Sequence, residues 1–131
     1  MMTKRLAATT FVLFAIVAGS ADARAVDSDV IIAPTGACMI SDLGGGIACF
    51  GEAVPSTYTD GYLGLRRSGK TYLGEAGGML TGSPDAWDTP RVHRGDRWNR
   101  RGVRCRVIPG GIKCFNGRHG FRLKKHGYRT F

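Results

Sequence analysis

Beyond its first 25 residues, the chain has no apolar run approaching the roughly 20 residues that a membrane-spanning helix needs. It also lacks any glycine-free amphipathic stretch of ordinary helix length, which excludes a helical core. Cysteine is absent except at Cys38, Cys49, Cys105 and Cys114, and acidic residues are absent after Asp96. There is no G-x-S-x-G elbow, no H-E-x-x-H pair and no phosphate-cradling glycine loop. These absences argue against an α-helical membrane protein, a helix bundle, a serine hydrolase of the elbow type and a nucleotide-binding enzyme.

What is present starts with an export signal. Lys4-Arg5 precedes an uncharged, mostly apolar run from Leu6 to Ala18, and Ala21-Asp22-Ala23 and Ala23-Arg24-Ala25 each offer a small-x-small cleavage pattern. This arrangement predicts a helical signal peptide over residues 1–25, cut between Ala23 and Ala25. One domain over 26–131 is then expected, secreted or held in the periplasm or cell envelope. In such a compartment four cysteines read as disulfides rather than metal ligands.

The cysteines bracket two similar segments. Cys38 to Cys49 closes on Gly45-Gly46-Ile47-Ala48-Cys49-Phe50, and Cys105 to Cys114 closes on Gly110-Gly111-Ile112-Lys113-Cys114-Phe115. Each reads as a short β-hairpin around a glycine turn. Side chains alternate along a strand, so Cys38 opposite Cys49 sets Ile40 opposite Ile47, with the turn near Leu43-Gly44. Cys105 opposite Cys114 sets Val107 opposite Ile112 and turns Arg104, Arg106, Lys113 and Phe115 to the other face. We adopt pairing within each hairpin, although four cysteines allow three connectivities.

Further strands are expected over Val26 to Ala33 and around Val92. A hairpin is expected from Tyr62–Leu65 and Lys70–Leu73 about Arg67-Ser68-Gly69, and a final strand from Gly120–Leu123 and Tyr128–Phe131. Glu75 to Asp88 reads as a surface loop. The fold class is therefore all-β: a small, glycine-rich antiparallel domain of hairpins, sandwich- or barrel-like, stapled by two disulfides.

Charge is divided between the halves. From Val26 to Pro90 there are three basic and eight acidic residues; from Arg91 to Phe131 there are thirteen basic and one acidic. Guanidinium groups bind phosphate, sulfate or carboxylate in bidentate fashion. The expected anion-binding residues are Arg97, Arg100, Arg101, Arg104, Arg106 and Lys113, near Trp98, and the expected ligand is a polyanion of the envelope or extracellular space. A solvated face balanced by the acidic half is the competing interpretation. Another alternative is a secreted protein ligand or inhibitor using the Tyr62 to Tyr72 hairpin; a third is a small hydrolase built on Asp85 and Asp88 around Trp87. No catalytic role, cofactor or metal is expected. His93, His119 and His126 lack ligand spacing, and Arg94-Gly95-Asp96 reads as a tight turn rather than an adhesion motif.

The C-terminal stretch carries a resemblance. Gly111-Ile112-Lys113-Cys114-Phe115-Asn116, His119-Gly120-Phe121-Arg122-Leu123 and Tyr128-Arg129-Thr130-Phe131 resemble the ending of a bacterial family of unknown function. That family comprises small secreted proteins with a G-x-x-C-x-N, H-G-F-x-L, Y-R-x-F tail. Pro34-Thr35-Gly36 before Cys38 is similar to its N-terminal motif. Gly117-Arg118 before His119 and Lys124 depart from the pattern, and the central cysteine pair that members often carry is missing. The resemblance implies a secreted, disulfide-bearing β domain and no particular activity.

Overall fold

The computed structural model describes residues 23–41, 45–76 and 89–131. Residues 1–22, where most of the expected signal peptide falls, the turn expected near Leu43-Gly44, and the segment with Asp85, Trp87 and Asp88 lie outside the described residues. Within them the chain is all strand and turn. In order come β1 (Ala25–Val26), β2 (Val30–Ala33), β3 (Gly36–Ile40), β4 (Ile47–Phe50), β5 (Gly61–Leu65), β6 (Tyr72–Glu75), β7 (Arg97–Arg100), β8 (Val103–Ile108), β9 (Gly111–Phe115), β10 (Gly120–Lys124) and β11 (Gly127–Thr130).

These strands form two sheets. One has the order β2-β3-β4-β5-β6, the other β1-β7-β8-β9-β10-β11. Every pairing is antiparallel except β1 with β7, where Ala25 lies beside Arg97 and Val26 beside Trp98. The architecture is a β-sandwich, with one apolar core lined by both sheets. Ile31, Ile47, Leu63 and Leu65 line it from one side; Trp98, Val107, Ile112, Phe121 and Leu123 line it from the other. Period-two alternation produces this: β8 runs Val-Arg-Cys-Arg-Val-Ile, burying Val103, Cys105 and Val107 and exposing Arg104 and Arg106.

Both cysteine hairpins adopt the expected register. Cys38 pairs with Cys49 and Ile40 with Ile47; Cys105 pairs with Cys114 and Val107 with Ile112. The disulfides are Cys38–Cys49 and Cys105–Cys114, each with Cα atoms 4.0 Å apart, and no cysteine is free. All four sulfurs point into the core.

Two expected single strands are each divided. The apolar run from Val26 to Ala33 breaks at Asp27-Ser28-Asp29, where the chain leaves one sheet for the other. Polar contacts hold that crossover: the Trp98 indole N–H donates to the Ser28 carbonyl at 2.6 Å, and Arg100 binds Asp27 and, at 3.2 Å, Asp29. The C-terminal stretch becomes the β10–β11 hairpin, turning at Lys125-His126. Around Val92 there is one parallel bridge, Ile32 to Arg91, rather than a strand.

Asn116 joins the two sheets. Its Nδ2 donates to the carbonyls of Arg66 and Gly69, both at 2.9 Å, on the β5–β6 turn. Its Oδ1 accepts the amides of Arg118 and His119 at 3.0 and 2.9 Å. Asn116→Ala removes all four bonds and is expected to cost about 1–3 kcal/mol, measured as a fall in the urea midpoint at unchanged slope.

Asp96 is the one buried charged side chain among the described residues, at 2% exposure. Burial pushes its carboxyl up, but the His93 amide and the Arg24 guanidinium outweigh that and hold it below its ordinary value of 3.8. A carboxylate depressed by folding stabilises the domain above its unfolded pKa, and the contribution disappears as pH falls through the folded value. Asp96→Asn is expected to lower stability at neutral pH and to flatten its decline below about pH 4, read from melting temperatures across an acid series.

Candidate functional site

The outer face of the second sheet carries the basic residues in register. Arg97 on β7 lies opposite Arg106 on β8, Arg106 opposite Lys113 on β9, Lys113 opposite Arg122 on β10, and Arg122 opposite Arg129 on β11. Five consecutive strands thus contribute one cation each to a single row perpendicular to the strands. With neighbouring strands about 4.8 Å apart, the row runs roughly 19 Å. Arg97, Arg106, Arg122 and Arg129 are exposed and Lys113 is half-buried. No Asp or Glu occurs anywhere from Arg97 to Phe131, so no acidic side chain from this stretch interrupts the row.

A second row lies beside the first. Asn99 is opposite Arg104, Arg104 opposite Phe115, and Phe115 opposite Gly120. Gly120 in turn exchanges both backbone hydrogen bonds with Phe131, each at 3.0 Å. The Phe115 and Phe131 rings stack with centroids 6.0 Å apart and planes inclined by 24°. The Arg104 guanidinium sits 5.9 Å from the Phe115 centroid and the Lys113 ammonium 5.4 Å from that of Phe131. Gly120 makes room for this: a Cβ there would meet the Phe131 ring at 2.9 Å and the Cys114 carbonyl at 2.3 Å.

Two shallow grooves follow the cation row. One, of about 640 Å³, is lined by Arg97, Arg104, Arg106, Lys113, Phe115 and Phe131. The other, of about 550 Å³, is lined by Arg122, Lys124, Lys125, His126, Tyr128 and Arg129. Both are open and lack convergent acid–base pairs. Their chemistry is that of recognition: many donors, one sign of charge and a ring surface.

The six residues expected from sequence divide four ways. Arg97, Arg106 and Lys113 are in the row, and Arg104 is in the row beside it. Arg100 shares the inward side of β7 with Trp98, and the Asp27 carboxylate beside it holds its guanidinium all the more firmly charged. Arg101 lies in the β7–β8 turn with a left-handed backbone, φ 56°. Trp98 is core, 1% exposed. Sequence reasoning missed Arg122 and Arg129; the alternation Phe121-Arg122-Leu123-Lys124 was the signal that could have found them.

The other candidates fare differently. Among the described residues no group of His, Cys, Asp and Glu could hold a metal ion, and none forms a helix long and apolar enough to cross a membrane. In Arg94-Gly95-Asp96 the carboxylate faces inward, accepting the His93 amide at 2.8 Å. The Tyr62 to Tyr72 hairpin places Tyr62 between Phe50 and Tyr72, with ring centroids 5.2 and 6.2 Å away, on the outer face of the first sheet. No protein-family model, curated protein or solved structure matches this chain, so the cation row itself is the ground for any functional conclusion.

Proposed function

We propose that this is an exported, non-enzymatic binding module that holds a polyanion against the outer face of its C-terminal sheet. The observation that carries the reading is the uninterrupted cross-strand register Arg97, Arg106, Lys113, Arg122, Arg129. Like charges directly opposite one another destabilise a sheet. Five in succession, with no acidic side chain supplied by strands β7 to β11, form a surface whose repulsion an anionic ligand relieves. Two disulfides and the leader-like N-terminus support a site of action in the envelope or outside the cell.

Because the row crosses five strands and four of its cations are exposed, single anions gain little from it, whereas a linear polyanion meets five cations at once. Affinity for a homologous series of oligomers is expected to rise with length and level off once the chain spans the row. Releasing counterions from five contacts gives a slope of log K against log salt of about −3.5. Titration of the full exported chain with inorganic polyphosphate at increasing salt tests this. Binding that does not respond to ionic strength overturns it.

A further inference from the structure

The geometry points to an acidic polysaccharide as the class of polyanion, with Phe115 and Phe131 forming the subsite for one of its sugar rings. The inference rests on the polyanion reading and adds to it what the ring row contributes. A ligand lying over both rows must present anions along one side and an apolar ring surface beside them. A sugar ring bearing a carboxylate or sulfate does both: its C–H face packs on aromatic carbon while its anion reaches a guanidinium. The Phe131 ring, stacked on Phe115 with centroids 6.0 Å apart, remains 46% exposed and so keeps apolar ring surface for one sugar. The Arg104 guanidinium lies over the Phe115 ring and the Lys113 ammonium over the Phe131 ring, where the anion of that sugar would meet them.

Single-stranded nucleic acid fits less well. Proteins that bind it offer successive bases successive rings along the track. Here the row beside the five cations holds one ring pair, and its other members are Asn99, Arg104 and Gly120. One stacked ring pair suits one sugar unit.

The test compares three probes of matched charge against the full exported chain at one ionic strength: a polyuronate, inorganic polyphosphate and single-stranded DNA. Phe131→Ala is expected to weaken the polyuronate about threefold to tenfold and to leave polyphosphate unchanged. Phe131→Leu, which keeps apolar bulk without a ring, is expected to fall on the same side and guards against a folding defect in the alanine variant. An equal effect on polyuronate and polyphosphate, or none on either, overturns the ring subsite. Tighter DNA binding that also depends on Phe131 overturns the sugar assignment. Failure of every probe to bind removes the polyanion reading as well, and so is distinguishable.

A second inference stands on Arg24. We infer that the exported chain begins at Arg24, cut after Ala21-Asp22-Ala23 and not after Ala25; this rests on the leader reading. The Arg24 guanidinium Nε lies 3.3 Å from the buried Asp96 carboxylate. The Arg24 carbonyl accepts the Arg97 amide at 2.8 Å, and Ala25 forms half of β1. Removing Arg24-Ala25 strips a buried carboxylate of that guanidinium and leaves a β7 amide without its acceptor. Intact mass and N-terminal sequencing of chain exported from the full-length gene are expected to read Arg24-Ala25-Val26. A start at Val26 overturns the inference alone, and an uncut chain overturns the leader reading with it.

Discussion

Replacing Arg106, Lys113 and Arg122 together with glutamine is expected to weaken polyphosphate binding about threefold to a hundredfold while making the fold more stable. The loss follows from three charge contacts at roughly 0.2–1 kcal/mol each. The salt slope should shallow by about 2, because three fewer counterions are released. The gain follows from geometry: Arg97 faces Arg106, Arg106 faces Lys113, Lys113 faces Arg122 and Arg122 faces Arg129, so all four like-charged cross-strand contacts of the row disappear, and the melting temperature should rise by an amount worth about 1 kcal/mol or more. Opposite signs in the two measurements are the signature of a surface maintained for binding at the expense of stability. A row that merely keeps the protein soluble predicts the same stabilisation with unchanged binding. Arg100→Gln provides the contrast: it breaks contacts with Asp27 and Asp29 at the crossover, so it should lower stability and leave the salt slope alone.

Deleting the Cys105–Cys114 disulfide with two alanines is expected to cost about 3 kcal/mol of stability by freeing the unfolded chain. For a domain of this size that is a drop of roughly 10–20 °C in melting temperature. The Cys38–Cys49 deletion should cost the same or slightly more, since the bridges span comparable loops, with sequence separations of 11 and 9 respectively. Binding is what separates them. Arg104 and Arg106 flank Cys105 on β8, and Lys113 and Phe115 flank Cys114 on β9, so only the first deletion loosens the strands that carry the basic face. At a temperature where both variants remain folded, polyphosphate affinity should fall for the Cys105–Cys114 variant alone. Equal affinity in the two would show that the staple contributes nothing to holding the row in register.

Local pattern made much of this legible in the sequence. Cysteine spacing, glycine turns and alternation at Val103-Arg104-Cys105-Arg106-Val107 led to both hairpins in their true register and to the buried sulfurs. Three of the six expected anion-binding positions belong to the row: Arg106 and Lys113 sit on those well-marked strands, whereas Arg97 sits on β7, which the sequence pattern did not mark. Arg100 was misplaced for a reason that lies seventy residues away: its partners Asp27 and Asp29 are brought to it by a crossover that apolar patterning reads as continuous strand. Arg122 and Arg129 escaped notice because their membership depends on strand order, and a β10–β11 hairpin is hard to distinguish from one long strand when Lys124-Lys125-His126-Gly127 lacks a strong turn dipeptide. Asn116 shows the same limit, since its role depends on a turn fifty residues earlier.

The arrangement of neighbours also says how the chain assembles. Strands β2 to β6 and β7 to β11 each zigzag in sequence order, so nearly every pairing within a sheet joins consecutive strands and can form at low contact order. The exceptions are the Ala25–Val26 strap alongside Arg97–Trp98 and the Ile32–Arg91 bridge, both linking the start of the domain to its second half. Two locally paired meanders are therefore joined by these long-range links, and the strand that carries the first cation of the row is the one that the Ala25–Val26 strap ties down.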